Sequence, residues 1–595
     1  MSIMQTIQKA AVKSLSALYT QPFSDTDFQV NQTKEEFEGD YTVVLFSLLK
    51  KTGQAPAALG EQLGNAMVAD HPELFTGYNI IKGFLNLNIA DSFWLQLLQE
   101  NYADPKFGIQ AFNGKKVMVE YSSPNTNKPL HLGHLRNNFL GWSVAEILKA
   151  NGYDVFKSCI VNDRGIHICK SMIAWESFAG GATPESTGMK GDHFVGEYYV
   201  KFNDAYKAEI KGLVTGGMEE KLAEKEAPIM KSTQAMLLDW EAGKPEVIDL
   251  WKKMNNWVYA GFDETYKNIG SDFDKIYYES NTYLLGKKIV AEGLRKGVFV
   301  QDEDNSVWID LTNDGLDRKI VQRKDGTSVY ITQDIGLAQQ KYEEYGIDQS
   351  IYVIGDEQNY HMKVLKLIAE KLELPNAENI FHLSYGMVEL PTGKMKSREG
   401  TVVDADDLLT EMIKVSGNTT IQKLEETGKL KEFASEELDE LYKTIGLGGL
   451  KFFLLRVDPK KKMIFNPEES IDVHGFTGPF IQYTHARIKS ILRKEPLANE
   501  TVQHSTLLPL EKELLVSLEQ FELVLIQAAK ELNPSALAIY IFNLAKSFNS
   551  FYTVHSIANA ENAEKKQLRL QLAVMVSNVL KTGMRLLGIN VPERM

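Results

Sequence analysis

The stretch that decides the fold is Pro-Asn-Thr-Asn-Lys-Pro-Leu-His-Leu-Gly-His, residues 124–134, with the sequence on either side of it. Before it, residues 117–121 form a short apolar run with β-branched side chains, which predicts a buried strand followed by a turn. After it, apolar residues recur three and four apart from Leu132 to Ala150, and Asn151-Gly152 is a helix stop. Residues 155–161 are again apolar and β-branched. The sequence therefore predicts a βαβ unit.

Two histidines stand at the predicted start of this helix. His131 and His134 are three residues apart, so they share one helix face. With Lys128 upstream and the helix-start N–H groups, which we expect to be unpaired, they form a site for anionic oxygens such as phosphate. Gly133 has no Cβ, so a flat group such as adenine can approach the backbone there. Two alternatives stay open: ordinary polar residues at a helix start, or a zinc site, although the chain has no Cys-x-x-Cys pair.

Length and composition indicate a large globular protein. The 595 residues predict about three to five domains. With 44% hydrophobic and 24% charged residues and no long apolar run, no membrane segment is expected. Cys159 and Cys169 are too few for a disulfide framework, which favours the cytoplasm. The net charge of −14 argues against indiscriminate nucleic-acid binding but allows an RNA partner held by local basic patches and shape.

The rest of the chain divides by pattern. Residues 1–24 carry an apolar stripe without acids, which predicts a first helix; a transit peptide is the alternative, but arginine is lacking. Residues 83–89 alternate as a half-buried strand does. Charged helical periods follow the βαβ unit, and the C-terminal part has apolar stripes at helical spacing. The predicted domains are residues 1–110, residues 111–450 with an insertion at about 171–300, and residues 451–595.

A second cationic segment follows a late strand. Residues 351–355 and 380–390 are strand-like, and the latter run ends in Pro-Thr-Gly-Lys-Met-Lys-Ser-Arg-Glu-Gly, residues 391–400. Three cations close together suit a pyrophosphate that is held during reaction and then released, although an ordinary solvated loop is the alternative. Because no Gly-Lys-Ser/Thr phosphate loop is present, an ordinary kinase is disfavoured.

The amino-acid sequences of both segments resemble the signatures of a known family. Residues 120–136, Glu-Tyr-Ser-Ser-Pro-Asn-Thr-Asn-Lys-Pro-Leu-His-Leu-Gly-His-Leu-Arg, resemble the first signature of class I aminoacyl-tRNA synthetases, and among them the arginyl-tRNA synthetases. Lys-Met-Lys-Ser-Arg, residues 394–398, is similar to the second signature, Lys-Met-Ser-Lys-Ser, but has Lys396 at its first serine and Ser397 at its second lysine.

The resemblance covers essentially the whole chain and implies an α/β fold. It implies a class I synthetase Rossmann-like catalytic domain with a helical insertion, a small α/β N-terminal domain that contacts the tRNA elbow, and an all-α C-terminal anticodon-binding domain. It also implies ATP-dependent attachment of L-arginine to arginine tRNA through an arginyl-adenylate, giving AMP and pyrophosphate. ATP would enter as its Mg²⁺ complex, no protein-bound metal is expected, and the enzyme would act as a monomer with no membrane partner.

The resemblance also assigns site residues by position. The catalytic residues are Lys128, His131, His134, Lys394, Lys396 and Arg398. The ATP-binding residues are Pro124, Asn125, Gly133, His361 and Ser397. The arginine-binding residues are Glu120, Asn125, Tyr330, Asp334 and Gln358. Asp334 is the first choice for the guanidinium, because a planar fork of donors needs a carboxylate, although each of these residues can instead be structural. Arg164 and His167 receive no role, because the family more often has Trp and Gln there.

Two other functions stay open from the sequence. One is a class I nucleotidyltransferase that adenylates a small acid without RNA, which the long helical C-terminal region disfavours. The other is an RNA-binding paralogue that has lost its chemistry, which the charged residues of both signatures disfavour. Attachment of amino acids to total tRNA separates all three.

Overall fold

The computed structural model describes residues 3–34, 36–327, 329–389, 391, 403–497 and 506–595. The N-terminal domain is built from α1 (Ile3–Tyr19), β1 (Val30–Gln32), β2 (Tyr41–Val44), α2 (Leu49–Thr52), α3 (Pro56–Asp70), β3 (Phe75–Ile81), β4 (Phe84–Ile89) and α4 (Asp91–Asn101). Its strands form an antiparallel sheet in the order β1-β2-β4-β3. The apolar stripe of α1 is buried, which confirms the predicted first helix.

The remaining strands are β5 (Lys116–Glu120), β6 (Asp154–Val161), β7 (Lys275–Tyr278), β8 (Val300–Gln301), β9 (Val307–Ile309), β10 (Lys319–Gln322), β11 (Gln349–Gly355), β12 (Ile380–Tyr385), β13 (Val388–Glu389) and β14 (Met463–Ile464). The helices are α5 (Leu132–Ala150), α6 (Ile166–Phe178), α7 (Pro184–Thr187), α8 (Gly191–Thr215), α9 (Glu220–Glu226), α10 (Pro228–Glu241), α11 (Pro245–Ile269), α12 (Glu279–Thr282), α13 (Leu285–Arg295), α14 (Tyr330–Tyr345), α15 (Asn359–Lys371), α16 (Ala405–Glu426), α17 (Ser435–Leu455), α18 (Pro467–Ser470), α19 (Gly478–Lys494), α20 (Pro509–Glu519), α21 (Phe521–Glu531), α22 (Pro534–Val554) and α23 (Ala563–Leu586).

A five-stranded parallel sheet forms the centre of the second predicted domain. Its order is β12-β11-β5-β6-β7, so the chain runs outward from β5 through β6 to β7 and then returns to β11 on the other side of β5. The predicted βαβ unit is confirmed as β5, α5 and β6. In open α/β sheets, ligands bind at the carboxyl ends of the strands where the strand order reverses. Here that point lies between β5 and β11.

The structure corrects three boundaries that were expected from the sequence. The insertion was expected to reach about residue 300, but β7 at Lys275–Tyr278 pairs with β6 inside the main sheet. The strand-like run 380–390 is split into β12 and β13 at Gly386, whose backbone N–H donates to the Pro459 carbonyl at 2.9 Å. The helical C-terminal part begins with α16 at Ala405 rather than near residue 450. For β7 and β13 the partner that decides the boundary is distant in sequence, whereas α16 begins at a local cap, the Asp404 side chain, which accepts the backbone N–H groups of Asp406 and Asp407.

The domains share packed surfaces. One apolar core includes residues of the N-terminal domain, of α5 and of the C-terminal helices. Glu519 is buried, and it accepts hydrogen bonds from the Ile3 backbone N–H and the Tyr41 hydroxyl, both at 2.9 Å. The N-terminal domain is therefore docked on the C-terminal helices. No helix within the described ranges has the length and apolar character needed to cross a membrane.

Candidate active site

The first signature is folded around the start of α5. His131 precedes the helix, and its Nδ1 accepts a hydrogen bond from the Gly133 backbone N–H at 3.1 Å. His134 lies in the first turn, and its Nδ1 accepts the His131 backbone N–H at 3.1 Å. The two ring centroids are 3.9 Å apart. The two histidines therefore lie together at the helix start, as predicted.

The backbone N–H groups at this helix start correct one expectation. They were expected to be unpaired, but Leu132 donates to the Val403 carbonyl at 3.1 Å and Gly133 donates to His131. The reason is that His131 caps its own helix while residue 403, just after the second signature, lies against it. Two of the N–H groups at this helix start are therefore already paired.

Both histidines are neutral at physiological pH. Desolvation, and next the charge of Lys128, lower the pKa of His131 to about 3. Desolvation, His131 and Lys128 lower the pKa of His134 well below its ordinary value. Because each Nδ1 accepts a hydrogen bond, the proton of each neutral ring lies on Nε2. The pair offers two Nε2–H donors, and Lys128 supplies positive charge beside them.

A cavity of about 310 Å³ lies beside this turn. Residues 128–131 form one wall, and α8 of the insertion contributes His193 and Tyr199 to the other. A Cβ at Gly196 would stand 2.8 Å from Cδ of Pro129, so a glycine is needed where α8 crosses the turn. Apolar side chains make up much of the lining, which suits a flat organic group next to the residues that are predicted to bind phosphate. The insertion is thus one wall of the candidate site.

Three of the residues predicted to bind arginine lie near the carboxyl edge of the sheet. Tyr330 and Asp334 are one turn apart at the start of α14, and Gln358 follows β11. The Asp334 side chain is 39% exposed, and its Oδ2 lies 2.7 Å from Nε2 of His361. His361, which is predicted to bind ATP, contacts the arginine candidate, because α15 starts opposite the first turns of α14. An open carboxylate paired with an imidazole is accessible to a guanidinium.

Glu120 and the turn after it are held by the surrounding structure. Glu120 is the last residue of β5, it is buried, and its Oε2 pairs with Nζ of Lys341. The Pro124 carbonyl accepts the Asn162 backbone N–H at 2.8 Å, and Asn125 is exposed next to it. These contacts fix the turn against the end of β6.

An acid that the sequence analysis missed lies at the same edge. Glu279 follows β7, and burial raises its pKa to about 7, with Asp163 and Asp334 also raising it and Arg164 lowering it. Asp163 is held by the Ser280 backbone N–H at 2.8 Å and hydroxyl at 2.7 Å. The signal was an acid at the carboxyl end of a strand, but that strand had been assigned to the insertion.

The two residues that depart from the family pattern contact the insertion. The Arg164 guanidinium donates to Oε1 of Glu241 at 2.6 Å and lies 4.1 Å from the ring centroid of Tyr283. His167 Nδ1 lies 3.1 Å from the Tyr199 hydroxyl. Their side chains join the loop after β6 and the start of α6 to α8, to α10 and to the turn between α12 and α13.

The second signature, with Lys394, Lys396, Ser397 and Arg398, lies outside the described residues. The chain that follows it is tied to the first signature, because Ala405 N–H donates to the Leu130 carbonyl at 3.0 Å. It is also tied to the insertion, because His193 Nε2 lies 3.3 Å from Asp404 and 3.2 Å from Asp406. The start of α16 is therefore held from two sides.

A partly buried charged cluster surrounds this contact. Asp192, His193 and Asp406 place ligand atoms within 4.8 Å of one another, as a metal site would require. However, the ammonium of Lys190 already lies 3.1 Å from Asp192 and 2.6 Å from Asp406, and it also bonds to Thr265 at 2.6 Å. Lys190 therefore provides positive charge within this cluster.

Arg136, on α5, is buried and bonds to backbone carbonyls on two distant segments. It donates to Gly386 at 2.7 Å, just before β13, and to Lys461 at 2.8 Å and Pro459 at 3.2 Å, just before β14. Burial lowers its pKa to about 10. This guanidinium ties the first-signature helix to the strand that leads to the second signature.

Three stretches of the chain match family models. Residues 3–89 match the arginyl tRNA synthetase N-terminal domain, residues 96–466 match the catalytic domain of class I tRNA synthetases (R), and residues 481–595 match the DALR anticodon binding domain. Among curated proteins, the chain is 52% identical to an arginine–tRNA ligase of Flavobacterium psychrophilum and 50% identical to one of Bacteroides fragilis, each over 100% of both chains.

Solved structures agree on the fold. The arginyl-tRNA synthetase of Thermus thermophilus superposes with a TM-score of 0.81 at 24% identity, covering 100% of both chains. That of Plasmodium falciparum gives a TM-score of 0.78 at 18% identity, covering 100% of this chain and 99% of the other.

Proposed function

The chain belongs to the arginyl-tRNA synthetases and attaches arginine to arginine tRNA, and from the site geometry we propose which of its residues carry that reaction. In the first step, a carboxylate oxygen of arginine attacks the α-phosphorus of ATP. The new O–P bond gives arginyl-adenylate, and the bond to pyrophosphate breaks. In the second step, a ribose hydroxyl at the tRNA end attacks the activated carbonyl, and AMP leaves. The protein supplies placement and charge stabilisation.

His131 and His134 act as neutral donors to the phosphate oxygens. Each has its Nε2 proton available, because each Nδ1 is used within the helix cap. Preorganised donors of this kind stabilise the charge that develops on phosphate oxygens in the transition state. Lys128 adds positive charge, and Lys394, Lys396 and Arg398 of the second signature add more. Gly133, Pro124, Asn125 and Ser397 are proposed for the ATP side of the site.

Asp334 receives the guanidinium of arginine. The observation that carries this assignment is the openness of its carboxylate, which is 39% exposed and paired with His361 at 2.7 Å. A guanidinium brings two parallel donors to a carboxylate, which a histidine cannot match. Tyr330 and Gln358 are proposed for the same pocket, and Glu120 and Asn125 are proposed for the amino and carboxylate end of the substrate.

The experiment is steady-state charging by Asp334→Asn. Asparagine keeps the size of the side chain but removes its charge. The transition-state stabilisation calculated from kcat/KM for arginine should fall by about 3–5 kcal/mol, the cost of breaking one charge pair that the bound substrate desolvates. The KM for ATP should hardly change. Asp317→Asn is the matched control, because the Asp317 side chain is 83% exposed. Unchanged arginine kinetics would show that another acid holds the guanidinium.

The tRNA contacts are proposed by domain. The N-terminal domain, about residues 1–110, contacts the tRNA elbow, and the helical C-terminal domain, from about residue 451, contacts the anticodon. A cavity of about 290 Å³ lies where this domain meets α16: Tyr483, Arg487 and Met595 line one side, and Thr and Lys side chains of α16 and of the residues just after it line the other. Exposed aromatic and cationic groups of this kind bind unstacked bases.

Three finer properties complete the proposal. Mg²⁺ arrives with ATP as part of the substrate complex, and no protein-bound metal is needed. Cysteines 159 and 169 are both unpaired, which supports a reducing compartment such as the cytoplasm. A monomer is proposed because one chain carries the catalytic domain and both tRNA-contacting domains; sedimentation equilibrium at working concentrations tests it.

A further inference from the structure

Two of the proposed arginine-binding carboxylates have very different partners. Asp334 faces solvent and is paired with a histidine. Glu120 is paired with Lys341, and the two side chains are only 7% and 1% exposed. One pair can be opened by a substrate cation, whereas the other is closed inside the protein.

Helix and sheet geometry place Asp334, Lys341 and Glu120 one after another along the same side of α14. Lys341 follows Asp334 by seven residues on α14, so it lies on the same face about 10 Å deeper. Glu120 ends β5, and its neighbour in register on β11 is Tyr352. The Lys341 ammonium lies 4.6 Å from the ring centroid of Tyr352 and 5.7 Å from that of Tyr277. Aromatic faces and one carboxylate thus surround the ammonium.

The charge state of the pair follows from this setting. Burial alone would lower the pKa of Lys341, but the Glu120 carboxylate holds it above its ordinary value. The Lys341 ammonium is therefore retained despite its burial, and it offsets the charge of the carboxylate beside it. Lys341 contacts Oε2 of Glu120, so Oε1 is not part of this pair.

We propose that Lys341 is a positioning residue for arginine: it fixes the Glu120 carboxylate at the end of β5 and offsets its charge, which leaves Asp334 as the carboxylate that receives the guanidinium. This inference rests on the proposed roles of Glu120 and Asp334. Arginine is cationic at both ends of its length, so a pocket with two unbalanced acids could take it in either direction. With Glu120 balanced, the remaining acids are Asp334 and Glu279, whose charges act on each other. The guanidinium is therefore drawn to that end, and the substrate carboxylate lies toward the α-phosphorus.

The test is a double-mutant cycle with Lys341→Met, Glu120→Gln and the double variant, measured as kcat and KM for arginine with saturating ATP and tRNA. Lys341→Met should lower kcat/KM for arginine by about 10- to 100-fold, with the KM for ATP within about twofold. Because Lys341 acts through Glu120, the double variant should have the same kcat/KM as Glu120→Gln alone.

Thermal unfolding of the same proteins separates positioning from simple stability. Lys341→Met leaves a buried carboxylate without its partner, so its Tm should fall, whereas the double variant, with two neutral groups, should recover Tm. A structural role alone predicts that kinetics recover together with Tm. Recovery of arginine kinetics in the double variant, or unchanged kinetics in a folded Lys341→Met enzyme, would overturn the proposal.

Two controls make the outcome specific. Lys366 and Glu370 form an exposed pair on α15, about 40% and 39% exposed, so Lys366→Met and Glu370→Gln should change arginine kinetics less than twofold. Glu120→Gln can be as active as the unmodified enzyme while Asp334→Asn is impaired. That result would disprove the role of Lys341 but would still support Asp334 as the residue that binds the guanidinium.

Discussion

At the scale of single residues, the charge state of the two signature histidines limits what they can do for a phosphate. Both are neutral, because desolvation and the neighbouring Lys128 lower the pKa of each. They can donate hydrogen bonds to phosphate but cannot neutralise its charge. The second signature has Ser397 where its family pattern has a second lysine. Lys128 is therefore the cation of the first signature that we expect to compensate.

We predict that Lys128→Ala lowers kcat by about 10²–10³-fold, the loss that follows removal of one transition-state contact, with little change in arginine KM. Single-turnover adenylation with saturating tRNA measures this step. Adding Ser397→Lys should restore part of the rate, because it returns a charge to the second signature. Lys115→Ala, at an exposed position before β5, is the matched control. A Lys128→Ala enzyme with an unchanged single-turnover rate would assign the charge to Lys394, Lys396 or Arg398.

At the scale of elements, α5 is held to the rest of the domain by Arg136. Its guanidinium donates hydrogen bonds to carbonyls just before β13 and just before β14. Both segments are far from α5 in sequence. Lysine, with one compact head, cannot reach both segments. The position of the signature histidines relative to β13 therefore depends on this side chain.

Arg136→Ala should lower the free energy of unfolding by more than about 3 kcal/mol, because several buried carbonyls lose a charged donor. Arg136→Lys should recover part of that stability but keep a low single-turnover rate. Chemical denaturation and rapid-quench kinetics measure the two effects. Arg295→Ala, at an exposed position that ends α13, is the control. Equal stability of Arg136→Ala and the unmodified protein would mean that the carbonyls find other donors.

The contact between α8 and the start of α16 should depend on pH. The hydrogen bond from His193 to Asp406 raises the pKa of His193 above its ordinary value, and the charges of Asp404 and Asp192 raise it further. Burial and the charge of Lys190 lower this pKa, but by less. A raised pKa in the folded state gives stability that is fully present below the ordinary histidine pKa and is lost as pH rises through the folded value.

His193→Gln should therefore lower Tm most near pH 6, and the difference from the unmodified protein should shrink toward pH 9. Thermal unfolding across this range measures it, with His474→Gln, at an exposed position, as the control. A Tm difference that stays constant with pH would show that His193 contributes packing rather than charge.

At the scale of the whole molecule, the C-terminal domain cannot be treated as a removable part. Lys451 donates to the Gly588 carbonyl at 2.6 Å, and Ser143 on the signature helix donates to the Leu586 carbonyl at 2.9 Å. Deleting the domain would expose buried surface on α5. The anticodon contact is therefore better tested by a surface substitution.

Tyr483→Ala should raise the KM for tRNA by about tenfold, because one stacked base is worth about 1–3 kcal/mol, while arginine and ATP constants at saturating tRNA stay unchanged. Tyr483→Phe keeps the ring and is the matched control. Filter binding of tRNA provides an independent measure. If Tyr483→Ala binds tRNA as tightly as the Phe variant does, the anticodon lies elsewhere on the domain.

The sequence by itself determined the family, the fold class and the local elements. Both bounds of α5 were predicted, because helix periodicity and the Asn-Gly stop are local properties of the chain. The grouping of His131 with His134 followed from the same helix spacing. The roles of the site residues remain predictions.

Only the tertiary structure decided which distant residues meet. The sequence contains no signal that Lys341 pairs with Glu120, 221 residues away, or that Arg136 reaches the Gly386 carbonyl, 250 residues away. Glu279 was missed because the place of β7 in the main sheet is set by its pairing with β6, and its four residues resemble many other short apolar runs. A periodic pattern fixes which face of an element is buried. It does not fix the partner, because any apolar surface of suitable shape satisfies the same pattern.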